Sequence, residues 1–235
     1  RGLGDVYKRQ EKYLVTRQEK IAAMKSIYNF GIYCYKQLVA LAGIRNVKAR
    51  KLTQGQKGIF DYLSRHADPQ GGYLWIHASS LGEFEQGRPL IEAIKKAQPD
   101  TKILLTFFSP SGYEVRKDYS GADLICYLPF DLPGNVRRFL DLTKPTKAIF
   151  IKYEFWANYL NELKRRNIPT YIVSAIFRPK QIFFRSYGGY FRRILKNFTH
   201  LYIQDERSRQ LLASIGIDNC LLYTSPSPRD STSSR

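Results

Sequence analysis

Short apolar runs alternate with amphipathic segments along most of the chain. Six runs rich in β-branched and aromatic residues are typical of strands: Tyr73–Ala78, Lys102–Phe108, Leu124–Leu128, Lys147–Tyr153, Thr170–Ser174 and His200–Gln204. Helices are favoured between them, near Glu83–Ala97, Ser111–Tyr119, Gly134–Leu142, Phe155–Asn167, Gly188–Lys196 and Glu206–Ile215. Because the strands are apolar on both faces and alternate with helices, the pattern predicts one α/β domain over residues 50–219, built on a doubly wound parallel sheet.

The segment Ile27–Ile44 is apolar around most of its circumference and carries a single charge, at Lys36. A basic stretch follows at residues 45–57. An apolar helix beside clustered cations is typical of a segment that enters the interface of an anionic membrane. Residues 24–49 are therefore expected to form a membrane-associating helix and a basic linker. A helix buried on both sides against the domain is the alternative.

The two ends of the chain differ from the rest. Residues 1–10 and 221–235 resemble translated sequencing-adaptor read-through, and the second segment has the Ser/Pro/Thr composition of a disordered tail. We expect residues 1–23 to be artefact or upstream translation, Met24 to be a plausible start, and residues 220–235 to be an artefact tail. Both ends should lie outside the core with few contacts, and the chain should be a fragment of a longer protein.

Composition narrows the possible partners and cofactors. The chain has 235 residues, a hydrophobic content of 43% and a formal net charge of +18, so it can build a core and should bind an anionic partner. Three cysteines without C-x-x-C spacing exclude a disulfide scaffold and a zinc knuckle. The three histidines are scattered, and neither a dinucleotide fingerprint nor a P-loop lysine is present. We therefore expect no metal and no cofactor.

Ligands of a doubly wound sheet bind beyond the carboxyl ends of its strands. This rule selects the candidate site segments: Ser79–Glu83, Ser109–Gly112, Pro129–Gly134, Glu154–Trp156, Ser174–Arg178 and Gln204–Asp205. In the first of them, small residues and Gly82 would let a ligand approach the start of a helix, and Glu83 could take a proton from a sugar hydroxyl. The alternative is a capping box between Ser80 and Glu83, an arrangement far commoner than a catalytic base.

Two further segments are open to more than one interpretation. Glu154 and Trp156 suit sugar binding, but Glu154 could instead pair with Lys152 while Trp156 packs on the next helix. Residues 178–196 carry six cations and no acid, interleaved with aromatic residues. Such a segment can bind nucleic acid, or the phosphates and acyl chains of a lipid, and its alternative is a solvated helix face.

Five motifs resemble, in order, those of the transferases that attach 3-deoxy-D-manno-octulosonic acid (Kdo) to lipid A. They are His77–Glu83 (H-x-x-S-x-G-E), Thr106–Gly112 (T-x-x-[ST]-x-[ST]-G), Tyr127–Asp131 (Y-x-P-[YF]-D), Glu154–Asn158 (E-[LF]-W-P-N, with alanine for proline) and Ser174–Arg178 ([NS]-A-R-[LF]-S). The resemblance covers roughly residues 25–219 and corresponds to the N-terminal half of such an enzyme. Two departures are Lys152, where many members have an acid, and Ile176, where arginine is usual.

The resemblance implies a GT-B glycosyltransferase with two Rossmann-like domains, metal-independent and inverting, at the cytoplasmic face of the inner membrane. The N-terminal domain would hold the lipid A precursor, and the C-terminal domain would hold CMP-Kdo. Glu83 is implied as the catalytic base. The acceptor site would comprise Ser79, Ser80, Gly82, Ser109, Ser111, Gly112, Glu154, Trp156 and Arg178.

The expected partners are thus a lipid A precursor, CMP-Kdo and an anionic membrane surface, without nucleic acid. This chain alone would be the acceptor-binding half and inactive. Two alternatives stay open. One is a non-catalytic α/β module that binds nucleic acid or another polyanion, and the other is a related GT-B enzyme with a different donor.

Overall fold

A computed structural model describes residues 2–223, with the side chains of Val15 and of residues 18–223. The helices are α1 Gly2–Ala42, α2 Val47–Gln56, α3 Ile59–His66, α4 Leu81–Ala97, α5 Pro110–Arg116, α6 Pro133–Thr143, α7 Ala157–Arg165, α8 Gly189–Leu195 and α9 Glu206–Ala213. The strands are β1 Tyr73–His77, β2 Ile103–Phe107, β3 Leu124–Tyr127, β4 Pro145–Ile151, β5 Thr170–Ala175, β6 His200–Ile203 and β7 Cys220–Leu222.

All seven strands form one parallel sheet in the order β3-β2-β1-β4-β5-β6-β7. The predicted doubly wound α/β fold is confirmed, and each of the six predicted runs is a strand. Starting from β1, the chain first adds strands on one side and then, from β4, on the other. The strand order therefore reverses between β1 and β4, where a ligand crevice is expected at the carboxyl ends.

The centre of the sheet is covered on both faces by helices. Every residue of β1 is buried, and the Trp75 ring lies 5.1 to 5.5 Å from the rings of Phe139, Phe150 and Tyr159 on one side. On the other side, Ile76 packs in a cluster with Phe84 of α4. Burial on both faces is why the central strands are apolar without alternation.

The seventh strand was missed by the sequence analysis. Leu221 and Leu222 pair in parallel with Tyr202 and Ile203 of β6, a backbone contact that the sequence analysis did not expect, while their side chains lie outside the core, 50% and 41% exposed. A three-residue strand at the edge of a sheet has too short a pattern to be recognised. Residues 224–235 lie outside the described residues, as do Arg1 and the side chains of residues 2–14, so the expectation for residues 1–10 is untested.

One side of α1 is docked on the domain. The Tyr28 hydroxyl donates to Asp131 Oδ2 at 2.7 Å and accepts from the Ala157 backbone N–H at 3.3 Å. Asn158 Nδ2 donates to Asn29 Oδ1 at 2.8 Å. The helix is thereby fixed to the N-terminus of α7.

The other side of α1 is uncovered. Phe30, Leu38 and Leu41 are 69%, 63% and 64% exposed, and Ile27 is exposed as well. The alternative, in which this helix is buried on both sides against the domain, is therefore wrong. Among the described residues, no helix has the length and apolarity that crossing a membrane requires.

The boundaries after α1 also differ from the sequence analysis. The helix ends at Ala42, two residues before Ile44, and a short turn leads into α2 at Val47. Asn46 caps α2 by accepting from the Ala49 backbone N–H at 3.1 Å. The end of the segment predicted as a basic linker is therefore helical.

Asp131 is the buried polar centre that joins α1 to the sheet. Its carboxylate accepts hydrogen bonds from the Tyr28 hydroxyl and from the backbone N–H groups of Asn158 and Tyr159 at the start of α7. Burial raises the pKa of Asp131 to about 6, and these three donors oppose that rise. The start of α7 therefore supplies two of the three donors that stabilise the buried carboxylate.

Replacing Tyr28 with Phe should remove one donor to the buried carboxylate and destabilise the fold by about 1–3 kcal/mol. Urea unfolding followed by far-UV circular dichroism measures this change. Tyr33→Phe is the matched control, because Tyr33 lies on the same helix and is 51% exposed. Equal unfolding midpoints for the two variants would show that the Tyr28–Asp131 bond does not fix α1.

Candidate functional site

Glu83 lies in the first turn of α4, directly after β1. Its Oε2 atom accepts from the backbone N–H groups of Ser79 at 2.6 Å and Ser80 at 3.2 Å. The side chain thus makes the contact of the capping-box alternative. No hydrogen bond to Oε1 is found among the described residues. Capping uses one oxygen of the carboxylate and leaves the other for a ligand.

The pKa of Glu83 is raised above its usual value, first by burial and then by the negative charge of Glu154. The N–H groups of Ser79 and Ser80 and the nearby His77 oppose this rise. The balance makes Glu83 a stronger base than a solvent-exposed glutamate.

The loops after β1 and β2 are in contact. The Ser79 carbonyl accepts from the backbone N–H groups of Phe108 at 3.2 Å and Ser109 at 2.7 Å. Gly112 is buried, and a Cβ atom there would lie 2.3 Å from the Phe107 ring and 3.1 Å from the Ser80 carbonyl carbon. Glycine is therefore needed for this close approach of the two loops.

The small polar residues of these loops differ in exposure. Ser109 is half-buried and caps α5 by accepting from the Ser111 backbone N–H at 3.3 Å. Ser111 is exposed, and its hydroxyl lies 3.0 Å from that of Ser109. Gly82 is exposed, with no atom within 4 Å of the position a Cβ would take. The start of α4 is therefore open on the side of Gly82.

Glu154 is held by two side-chain nitrogens, and neither belongs to Lys152. Its Oε2 atom lies 2.5 Å from the Trp156 indole nitrogen and 3.3 Å from His77 Nε2. The alternative pairing with Lys152 does not form among the described residues. Lys152 has φ of +66°, which turns the chain at the end of β4. Trp156 packs against Phe108, with 4.8 Å between ring centroids.

Glu83 and Glu154 open onto the same edge of the sheet, as the sequence analysis expected. They follow β1 and β4, which are adjacent and parallel, and His77 at the end of β1 contacts Glu154 directly. This is the position at which the strand order reverses.

Arg178 stands apart from these residues. It follows β5, is exposed, and lies 3.9 Å from Asp205 in an ion pair. The structure therefore does not bring it into contact with Glu83 or Glu154 among the described residues. The sequence departs from the family motif in the same segment, at Ile176.

The cationic segment 178–196 is partly structural. The Arg192 guanidinium donates to the carbonyls of Phe183 and Arg185 and holds the loop that precedes α8. Arg193 and Lys196, with Lys20 of α1, line an open groove of about 1000 Å³ between α1 and α8. Phe183 and Tyr190 are buried, whereas five of the six cations are exposed, so the segment has a packed apolar side and a solvated cationic side.

The sequence analysis missed the roles of His77 and Asp131. His77 was noted only as one of three scattered histidines; it is fully buried and bonds to a candidate site residue. Both residues lie inside the motifs that carry the family resemblance. Those motifs are the signal from which their roles could have been predicted. In the described part of the chain, no three His, Cys, Asp or Glu side chains come together as a possible metal site.

Comparison with known proteins gives a consistent result. A family model described as 3-deoxy-D-manno-octulosonic-acid transferase (kdotransferase) matches residues 48–227. Curated 3-deoxy-D-manno-octulosonic acid transferases are also similar. The Haemophilus influenzae protein is 29% identical over 61% of this chain and 34% of its own length. The Aquifex aeolicus protein is 37% identical over 44% of this chain and 28% of its own length.

A third relative, from Rickettsia felis, is 25% identical over 94% of this chain and 47% of its own length. The chain therefore spans about half or less of the length of these relatives. Because the family model matches well over half of the chain, the chain belongs to the 3-deoxy-D-manno-octulosonic acid transferase family, whose members are glycosyltransferases.

Proposed function

We propose that this chain is the acceptor-binding half of an enzyme that transfers Kdo from CMP-Kdo to a lipid A precursor in lipopolysaccharide biosynthesis. The observation that carries the proposal is Glu83, a half-buried carboxylate with one oxygen fixed by two backbone N–H groups and the other unengaged. Family membership supports the choice of Kdo as the transferred sugar.

In the proposed reaction, the free oxygen of Glu83 accepts the proton of an acceptor hydroxyl. The hydroxyl oxygen attacks the anomeric carbon of Kdo, and the bond from that carbon to the CMP phosphate breaks. A single displacement inverts the anomeric configuration and needs only one base. The raised pKa of Glu83 suits this role, because a stronger base has a greater driving force for taking the proton.

The acceptor sugar is proposed to lie over the loops that follow β1, β2 and β4. The exposed Gly82 and Ser111 leave room for the sugar, while Ser79 and Ser80 shape the start of α4. Glu154 would accept a hydrogen bond from a second hydroxyl through its unengaged oxygen.

The remaining residues of the proposed acceptor site have supporting roles. Ser109 and Gly112 hold the loop after β2 against the loop after β1. Trp156 would form one side of the site. Arg178 is exposed, and its ion pair with Asp205 is weak. Its guanidinium would therefore be available to bind a phosphate group, and this is the only role proposed for it.

The uncovered face of α1 is proposed to lie in the anionic interface at the cytoplasmic face of the inner membrane. Apolar side chains such as Phe30 and Leu38 would enter the acyl region, and nearby cations, among them Lys20 and Arg193, would meet phosphate groups. A helix lying in the interface would present the carboxyl edge of the sheet to a lipid acceptor.

The donor is proposed to bind to a second domain of a GT-B architecture. The chain covers 34% of the Haemophilus influenzae relative and 47% of the Rickettsia felis relative, so these relatives are long enough to hold such a domain. Groups that hold CMP and stabilise the departing phosphate would then come from the other half.

In a full-length enzyme carrying this chain, Glu83→Gln should lower kcat by at least about 100-fold, because glutamine keeps the shape but cannot take the proton. Binding of the lipid acceptor should change little. Transfer of Kdo from CMP-Kdo, followed by thin-layer chromatography of the labelled lipid, measures the effect. Glu92→Gln, on the exposed side of the same helix, is the control. Full activity of Glu83→Gln would leave Glu83 as a cap only.

The 235-residue chain alone should bind the lipid acceptor without transferring Kdo. Positioning of the donor and stabilisation of the leaving group are each worth several kcal/mol, whereas a base contributes only about 10²–10⁴-fold. Trp156 fluorescence during titration with lipid A precursor reports binding, and an assay with CMP-Kdo reports transfer. Robust transfer by the chain alone would overturn the two-domain proposal.

Membrane binding should depend on the uncovered face of α1. The double substitution Leu38→Gln and Leu41→Gln should weaken binding to vesicles containing anionic phospholipid by about 10-fold or more, since each leucine loses most of its transfer free energy. Flotation of the chain with vesicles measures this effect. Val115→Gln, on α5 and 58% exposed, is the control. Unchanged flotation of the double variant would remove α1 from the membrane contact.

A further inference from the structure

The two carboxylates of the site are held in the same way. Each has one oxygen engaged by two N–H donors, which are backbone groups for Glu83 and side chains for Glu154. No hydrogen bond to the other oxygen of either group is found in the part of the chain whose side chains are described. What holds Glu154 therefore determines where its free oxygen points.

A buried chain of hydrogen bonds leads to Glu154 from inside the sheet. Trp75 Nε1 donates to Thr106 Oγ1 at 2.8 Å, and Thr106 Oγ1 lies 2.8 Å from His77 Nδ1. His77 Nε2 lies 3.3 Å from Glu154 Oε2. Trp75, Thr106 and His77 are each 0% exposed, so water does not replace any of these contacts.

The bond between His77 and Glu154 requires a hydrogen on one ring nitrogen. A carboxylate oxygen only accepts, so Nε2 must carry a hydrogen to bond to Glu154. Nδ1 lies 2.8 Å from the Thr106 hydroxyl, which can donate to it, and 3.1 Å from the Thr106 carbonyl oxygen, which can only accept from it. Only the neutral tautomer with hydrogen on Nδ1 leaves Nε2 facing Glu154 without a donor.

The sheet fixes the imidazole ring in place. His77 is paired in register with Thr106 of β2 on one side and with Phe150 of β4 on the other. The His77 ring lies 5.8 Å from the Phe150 ring in an edge arrangement. Two side chains of neighbouring strands thus restrict the rotation of the ring.

We propose that His77 is a positioning residue, whose Nε2–H, together with the Trp156 indole, turns the free oxygen of Glu154 toward the acceptor sugar beside Glu83. This inference rests on the proposed function, since it adds to the same site a device that aligns the second carboxylate. Glu154 touches the sugar, and His77 acts only through Glu154.

The hydrogen bond can be tested directly in the ¹⁵N-labelled 235-residue chain by NMR. The chain has two tryptophans, so its spectrum contains two indole N–H signals, and Glu154→Gln assigns the one from Trp156. We expect the nitrogen shifts of His77 to show hydrogen on Nε2. His77→Leu should move the Trp156 indole signal, and His77→Gln, which keeps an N–H donor, should return it toward its original position.

His66→Gln is the control, because His66 lies on α3 and its Nδ1 bonds to the Tyr62 carbonyl of the same helix. If His77→Leu fails to fold, the tautomer in the unsubstituted chain and the His77→Gln spectrum still decide the question. An Nε2 without hydrogen, or a Trp156 signal that His77→Leu leaves unmoved, would overturn the proposal.

The effect on the reaction is measured in a full-length enzyme carrying this chain. His77→Leu should lower kcat about 10- to 100-fold, with a smaller change in KM, because a misplaced Glu154 carboxylate lowers the rate of the reaction. His77→Gln should recover most of that loss, and His66→Gln should have no effect. Equal kcat values for His77→Leu and the unsubstituted enzyme would overturn the positioning role. No Kdo transfer by the unsubstituted enzyme would instead overturn the proposed function, and the NMR result would still decide the hydrogen bond.

Discussion

The parallel pairing of β1 with β4 is the constraint on which the candidate site depends. These strands are distant in sequence, and their pairing reverses the direction in which the sheet grows. It places the ends of both strands at one edge, so that Glu83 and Glu154 lie on the same side of the sheet. The strong burial of Trp75 and Phe150 in this strand pair resists any slip in register. The separation of the two carboxylates is therefore set by the hydrophobic core.

The N-terminal helix joins the domain through both hydrogen bonds and apolar packing, since Ile21, Met24, Ile32 and Val39 lie against the core. Its docked side meets Asp131, which burial would make unfavourable without the donors from α7 and Tyr28. The largest apolar side chains of α1, including Phe30 and Leu41, are left in contact with solvent. A helix that is docked on one side can present an apolar surface on the other, which is what an interfacial helix requires.

Much of the fold follows from local patterns in the sequence, but contacts across the sheet do not. The six longer strands are recognisable because they are apolar on both faces, whereas Cys220–Leu222 is too short to give a pattern. Glu83 and Glu154 were found from their positions at strand ends. The partner of Glu154 was not, because the φ of +66° at Lys152 and the register of His77 with β4 are tertiary properties. The alternative that paired Glu154 with its sequence neighbour Lys152 is therefore wrong.

The capping and catalytic interpretations of Glu83 were set against each other by the sequence, and the geometry removes the conflict. A capping glutamate needs one oxygen near the N-terminus of its helix, and a base needs one oxygen that can reach a hydroxyl. A carboxylate has two, so a cap on one oxygen of Glu83 would aim the other oxygen in the proposed base. The same division holds at Glu154, where side chains replace the backbone donors. Two carboxylates fixed in this way lose little rotational freedom when a ligand binds. The entropic cost of ordering them around a polyol is therefore small.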